Sequence, residues 1–428
     1  MAANGLITLV DAYYLGEYVG ADALTAVTLM LPVYMLLVAV STLVSSGFSS
    51  VLARLLGAKS TLDAGNAFSG AIALSQCVSL VFIVVFLIFG EALTLQLANG
   101  SQLLARFGYT CISILIFFSP VVFILGISID TLRCEGQMRA MVTVTLVSTL
   151  LNFVFNYLFI VQLDWGVAGS AFGTAAAQIC ALAVAIQLRR RADSKTDIQF
   201  SGISKIRNHW HEFIVLGVPS SLGYVGLSLT AIIILQIWNA DTYSGTAGAY
   251  GIITRLMTFT FLPLLGLSIA LQTIVGNNYG AAEFERSTGA LKIAIAIAAV
   301  YCVVAQIGFY VFKDTIGFIF VDDTAIAAKI GRILLINTSL FFLFGPMLMV
   351  STYFQSVGEA IKAAILDLYR TFLFAIPLIL LLPYVFSQIG IWYAGPTSEI
   401  MMLALTVAVL LWARKSSGSY LHAVSNKR

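Results

Sequence analysis

Twelve apolar runs, most of them about as long as a bilayer is thick, leave this chain few folds to adopt. A helix needs about 20 apolar residues to cross the hydrocarbon core, where every backbone N–H and C=O must be bonded within the protein. The runs are 1–15, 24–48, 66–89, 108–130, 138–161 and 166–188, then 213–238, 247–272, 288–312, 331–355, 363–386 and 389–413. Hydrophobic residues make up 60% of the chain and charged residues 10%, with a mean hydropathy of +0.96. That is too little charge for a soluble domain of this size. The chain reads as an all-α polytopic membrane protein with twelve transmembrane helices. Its first run is short, because only 15 residues precede Gly16-Glu17-Tyr18, which reads as a loop.

One long polar stretch interrupts the pattern. Residues 189–212 open with Arg189-Arg190-Arg191 and run through Lys195, Lys205, Arg207 and His209 to Glu212. This basic linker separates residues 1–188, a first lobe of six helices, from 213–413, a second lobe of six, and a tail follows at 414–428. Counting Lys and Arg in alternate connections orients the whole. One side holds Arg54, Lys59, Arg133, Arg139, the linker, Arg286, Lys292, Lys362 and the tail. The other has mainly Arg106, Lys313, Lys329 and Arg332 diluted by acids. The richer side is expected to be cytoplasmic, with both termini inside a bacterial inner membrane.

The halves look duplicated. Leu56-Gly57-Ala58 recurs as Tyr279-Gly280-Ala281, Glu135-Gly136-Gln137 as Val357-Gly358-Glu359, and Gly166-Val167 as Gly390-Ile391, with offsets of 223, 222 and 224. Six helices per half preserve orientation, which is the parallel repeat of many secondary transporters. All eight prolines lie inside or at the ends of apolar runs. Bent helices around a cavity would account for that, and so would the general frequency of proline in membrane helices.

Several function classes are excluded or disfavoured. Gly57-Ala58-Lys59-Ser60 lacks the spacing of a phosphate-binding loop, and no soluble domain is large enough to hydrolyse a nucleotide. The net charge of +3 follows from topology, so nucleic acid is not an expected partner. Cys77, Cys111, Cys134, Cys180 and Cys302 show no paired spacing. His209-Trp210-His211 has no Cys or carboxylate cluster beside it, so neither a metal nor another cofactor is expected. No apolar run contains a histidine to serve an intramembrane enzyme. No charged n-region with a small-residue cleavage site opens the chain.

Ionisable residues inside helices are costly in lipid and face a cavity or a partner. Asp11, among Leu9, Val10, Ala12 and Tyr13, is the clearest. It could exchange a proton or hold Na+, or it could be a helix-end aspartate reaching the outer surface. Asn152 and Asn156 stand four apart and share one helix face. They could line a cavity with Asp11 or clasp two helices together. Thr174 and Gln178 show the same spacing on the sixth run. Asp130 and Arg133 permit an i, i+3 ion pair, read as a structural lock or a transport site, and Asp367 and Arg370 repeat the geometry. Arg255 has no carboxylate within a turn, so it pairs at a distance or lines an aqueous cavity.

With these residues in view, the chain resembles the multidrug and toxic compound extrusion (MATE) transporters. The matching stretches are Leu9-Val10-Asp11 with Leu15-Gly16, Leu56-Gly57-Ala58, Asp130-Thr131-Leu132-Arg133-Cys134-Glu135-Gly136, Leu151-Asn152 and Gly166-Val167-Ala168-Gly169. In the second half they are Gly217-Val218-Pro219, Arg255, Pro263-Leu264-Leu265-Gly266 and Gln272-Thr273-Ile274-Val275-Gly276-Asn277-Asn278-Tyr279-Gly280-Ala281. The resemblance implies two pseudo-symmetric six-helix lobes in a V around a central cavity, with alternating access driven by H+ or Na+. It implies that Asp11 couples the ion, with Asn152 and Thr174 in the same polar cluster. The departures are Ile7-Thr8 where the family has Tyr-Asn, Asn156 where it has aspartate, and Leu227 and Phe344 where another branch carries second-half carboxylates.

The expected function is secondary antiport: export of amphipathic, cationic small molecules by a monomer, with Asp11, Asn152, Asn156 and Thr174 coupling the ion. Gln178, Arg255 and Asp130 are candidates for the substrate cavity. A flippase of lipid-linked envelope precursors is the rival reading, kept open by Arg255 and Arg370. A passive channel is disfavoured by the duplicated, proline-bent pattern.

Overall fold

The computed structural model describes residues 11, 14–98, 100–191, 196, 207–238, 246–319, 324–386 and 390–417. Among them Asp11 and Tyr14 are helical and lead into a π-helical turn at Leu15–Val19. Then come α1 (Ala21–Leu29), α2 (Leu31–Gly57), α3 (Thr61–Leu97), α4 (Gln102–Phe117), α5 (Ser119–Cys134), α6 (Met138–Asn156) and α7 (Gly166–Arg191). The later helices are α8 (Trp210–Trp238), α9 (Thr246–Gly280), α10 (Phe284–Val311), α11 (Thr324–Asn337), α12 (Phe341–Ser356), α13 (Ala360–Leu368), α14 (Ile376–Phe386) and α15 (Gly390–Ser417). A π-helical turn at Tyr157–Gln162 extends α6, and another at Tyr369–Ala375 joins α13 to α14.

Among the described residues nine helical stretches are long and apolar enough to cross a bilayer, and two bent pairs raise the count to eleven. These eleven fall on the second to twelfth apolar runs. The first run lies almost entirely outside the described residues. Its expected loop is corrected: 16–18 form a π-helical turn, and the break comes at Gly20, whose φ of 115° and ψ of 171° suit glycine alone. Exposed aliphatic side chains along α3, such as Leu80, Val81 and Ile88, mark a face made for lipid.

The duplication is written into the backbone. Lys59 and Ala282, 223 positions apart, both take a left-handed φ, at 58° and 61°, directly after the helices that end at Gly57 and Gly280. Gly136 and Gly358, 222 apart, do so at 81° and 88°. The latter two end α5 and α12 with the same closing bond, Gln137 N–H to Leu132 O at 2.8 Å and Glu359 N–H to Phe354 O at 2.9 Å. The fourth span of each half is bent near its middle, by 51° between α4 and α5 and by 49° between α11 and α12. Pro120, at the start of α5, has no N–H to continue α4 and so accounts for the first break.

By contacts the chain forms two compact units, Met1–Tyr224 and Val225–Arg428. The sequence boundary at 212/213 lies upstream of this one, because the first half of α8 packs within the first unit. A Cβ on Gly47 of α2 would strike the Phe213 carbonyl, and one on Gly217 of α8 would strike the Leu43 carbonyl. The two backbones therefore meet directly, as helices with small residues at their contact do in lipid. Ser46 and Ser220 share a hydrogen bond of 3.1 Å beside this contact. Nearby, Arg54 Nη2 lies 2.7 Å from Glu212 Oε1, and Trp210 Nε1 donates to Gly70 O at 2.9 Å. The second unit is built on a core that includes Leu264, Val275, Ala298, Met349 and Tyr353.

Candidate functional site

In the first unit α6 packs along α7, and small residues make that pairing possible. On α7 a Cβ at Gly169 would press on the Phe159 carbonyl at 2.9 Å, and one at Gly173 would collide with the Asn156 amide. The buried face of α7 continues as Ala171, Ala175, Ala177, Ala181 and Ala185. In the space left at Gly173 lies a chain of polar groups. Asn156 Nδ2 donates to the Asp11 carboxylate and, at 3.4 Å, to Asn152 Oδ1. Asn152 Nδ2 in turn donates to Thr174 Oγ1 at 3.0 Å. One carboxylate, two amides and a hydroxyl thus link the first helix, α6 and α7.

Asn152 and Asn156 are buried, whereas Asp11 keeps part of its surface open. Asn156 Oδ1 is buried without a donor, a condition that normally costs stability and points to function or to an additional partner. Tyr14, three residues after Asp11 and so on the same helix face, packs on Phe153 at 5.6 Å and Tyr157 at 6.5 Å. Asp11 and Tyr14 are therefore seated on α6 and the turn after it by one polar and one aromatic contact. Tyr34 on α2 and Cys111 on α4 lie within reach of the Asp11 charge. The atoms of the cluster that could hold an ion are all oxygens, so it suits a proton on Asp11 or a small hard cation. Gln178 is half-buried one turn beyond Thr174, and no hydrogen bond ties it to the cluster.

Asp130 and Arg133 form their i, i+3 pair, with Oδ1 and Nη2 at 2.8 Å. The same guanidinium donates to Ser49 Oγ at 3.1 Å, pinning α5 to α2. The expected Asp367–Arg370 pair is corrected. Asp367 accepts from Ser351 Oγ at 2.5 Å, while Arg370 Nη1 lies 3.9 Å from Glu399 Oε1 on α15. The reason is the π-helical turn that starts at Tyr369, which widens the helix and removes the i, i+3 stacking of an α-helix. Arg370 also lies 4.4 Å over the ring of Phe344. Arg255 is on α9, but its side chain lies outside what is described.

The MatE family model matches residues 1–158 and again 225–381. The chain belongs to the MatE family. The two matches begin 224 positions apart, at 1 and 225, in keeping with the offsets between the repeated glycine motifs. MatE relatives align over nearly the whole chain. The multidrug export protein MepA of Staphylococcus aureus is 22% identical over 405 residues, spanning 94% of this chain and 89% of its own. Two solved structures share the fold. An outward-facing multidrug resistance MATE family transporter of the MOP superfamily superposes with a TM-score of 0.88 at 21% identity, covering 99% of this chain and 94% of that one. A MOP superfamily transporter from Pyrococcus furiosus gives 0.87 at 21% identity, over 99% and 94%. At such identity the likeness is one of fold, here the twelve-helix, two-lobe MatE architecture of a multi-pass membrane protein.

Tyr14, Glu399 and Gly173 are among the residues of these clusters that the sequence did not single out. Tyr14 could have been found from its spacing to Asp11, and Glu399 from the rule that an acid inside an apolar run needs a partner. Gly173 had no signal, since its role is the space it leaves for a side chain on another helix.

Proposed function

We propose that this MatE protein is an ion-coupled exporter of amphipathic, cationic small molecules, working by alternating access in the bacterial inner membrane with both termini in the cytoplasm. The observation that carries the reading is the hydrogen-bonded chain Asp11–Asn156–Asn152–Thr174 between three helices. Multidrug export by relatives such as MepA supports the substrate class.

In this reading Asp11 is the group that exchanges H+ or binds Na+. The anionic carboxylate holds the Asn156 amide by a charge-assisted bond, which is stronger than the neutral one left after protonation. Loading the ion therefore loosens the first helix from α6, and releasing it draws the helix back. A ligand shifts such an equilibrium only by its difference in affinity for the two states. The substrate supplies the opposite bias when it meets the anionic site. The orphan Asn156 Oδ1, with Asn152 and Thr174, gives a desolvated cation its oxygen ligands.

The test is fluorescent-cation efflux from energised cells lacking their own pumps, with a pH or a Na+ gradient imposed separately. Gradient-driven efflux that disappears in Asp11→Asn supports the antiporter and identifies the ion. Undiminished efflux in that variant removes Asp11 from the mechanism. Absence of efflux under either gradient, together with a cell-envelope defect on deletion, would replace the exporter with a lipid-precursor flippase.

A further inference from the structure

The second unit carries an ionic cluster on the helix pair that corresponds to α6 and α7. The pair is the α13–α14 span and α15, which opens at Gly390 as α7 opens at Gly166, 224 positions earlier. Arg370 lies at the widened turn of the first, Glu399 on the second, and both side chains are largely buried, at 17% and 13% exposed. Asp367 stands one turn before Arg370, held by Ser351.

Counting charge in this cluster gives two carboxylates and one guanidinium. Arg370 acts electrostatically on both Asp367 and Glu399. It binds neither tightly: its approach to Glu399 Oε1 is 3.9 Å, and its planar face is spent on Phe344. Among the described residues, no other cation makes up the difference. Lys362 on α13 pairs with Glu359 at 3.3 Å, and Arg370 is the cation that acts on Asp367 and Glu399 among the described residues. Among the described residues, the thiol of Cys302 on α10 also senses Glu399 and brings no positive charge. Glu399 Oε2 is buried with no hydrogen-bond partner. A carboxylate oxygen in an apolar span cannot remain both charged and unbonded without a large penalty.

We infer that the Asp367–Arg370–Glu399 cluster is a proton-binding centre of the second unit, in which two carboxylates share one arginine and hold one exchangeable proton, with Glu399 Oε2 as its seat. A proton fits better than Na+, because Na+ needs several converging oxygens and this atom has none in contact. The centre is independent of Asp11 and does not rest on the exporter reading.

Infrared difference spectra of the purified full-length protein, recorded while pH is stepped, read protonated carboxyl groups directly. A carbonyl band of a buried carboxylic acid is expected in the wild type and in Asp11→Asn, so failure of the Asp11 mechanism would leave this result untouched. On the Asp11→Asn background, which removes any band from Asp11 itself, Glu399→Gln and Asp367→Asn should each abolish that band, since either leaves one acid facing one arginine with no surplus charge. If one variant does not accumulate, the other decides the matter. Persistence of the band in either variant would overturn the shared proton. Its loss on adding Na+ at constant pH would overturn the proton in favour of a Na+ site.

Discussion

Gly173 on α7 faces the side-chain amide of Asn156 so closely that no Cβ could stand between them. The amide owes its position against Asp11 to an absent methyl group on a neighbouring helix.

Gly173→Ala should therefore push Asn156 away from Asp11 while leaving the chemistry of every polar group intact. Losing one buried hydrogen bond of about 1–1.5 kcal/mol corresponds to roughly tenfold in an equilibrium. Ion-driven efflux should fall by about that factor with the protein still present in the membrane. Wild-type efflux from Gly173→Ala would show that the close approach has no role in coupling.

Asn156→Asp would place a second carboxylate beside Asp11. Two acids facing one site bind a cation better than one, and like charges otherwise repel. Efflux is expected to become more dependent on Na+ in this variant. Side-by-side Na+ titrations of transport, variant against wild type, read the difference, and unchanged curves would sink the idea.

Two ion pairs of the first unit should differ in what they contribute to stability. Arg133 is 5% exposed and its partner Asp130 22%, whereas Arg54 and Glu212 are 21% and 41% exposed. Removing the partner of a buried arginine typically costs about 3–5 kcal/mol, softened here by the bond to Ser49, while exposed pairs contribute about 0–1 kcal/mol. Asp130→Asn should lower the unfolding temperature of the purified protein well beyond Glu212→Gln. Equal shifts would contradict the burial argument.

The backbone contact of α2 and α8 predicts a cross-link. Ser46→Cys with Ser220→Cys, whose hydroxyls lie 3.1 Å apart, should form a disulfide readily in a background lacking the exposed Cys77. Adding Gly217→Val, whose Cβ would strike the Leu43 carbonyl, should slow or prevent it. Unimpeded cross-linking would mean that the helices approach without needing glycine there.

Much of this was legible in one dimension. Apolar runs placed eleven spans because lipid leaves a backbone no alternative to a helix. Gly136 and Gly358 announced the duplication because a left-handed helix end calls for glycine. Asn152 and Asn156 could be put on one face by counting four. Asp367 and Arg370 were misread for the converse reason: counting assumes an α-helix, and a π-helical turn intervenes.

The sequence by itself determined the membrane setting, the helical spans, the repeat and the identity of the acid in the first helix. These depend on composition and on local periodicity, which each stretch carries alone. Only the tertiary structure decided that Asn156 reaches Asp11, that Arg370 turns to Glu399 rather than Asp367, and that Gly173 leaves room for an amide. Those contacts join residues up to 145 positions apart. Which pairs meet is set by how closely whole helices pack, and no single stretch encodes that distance.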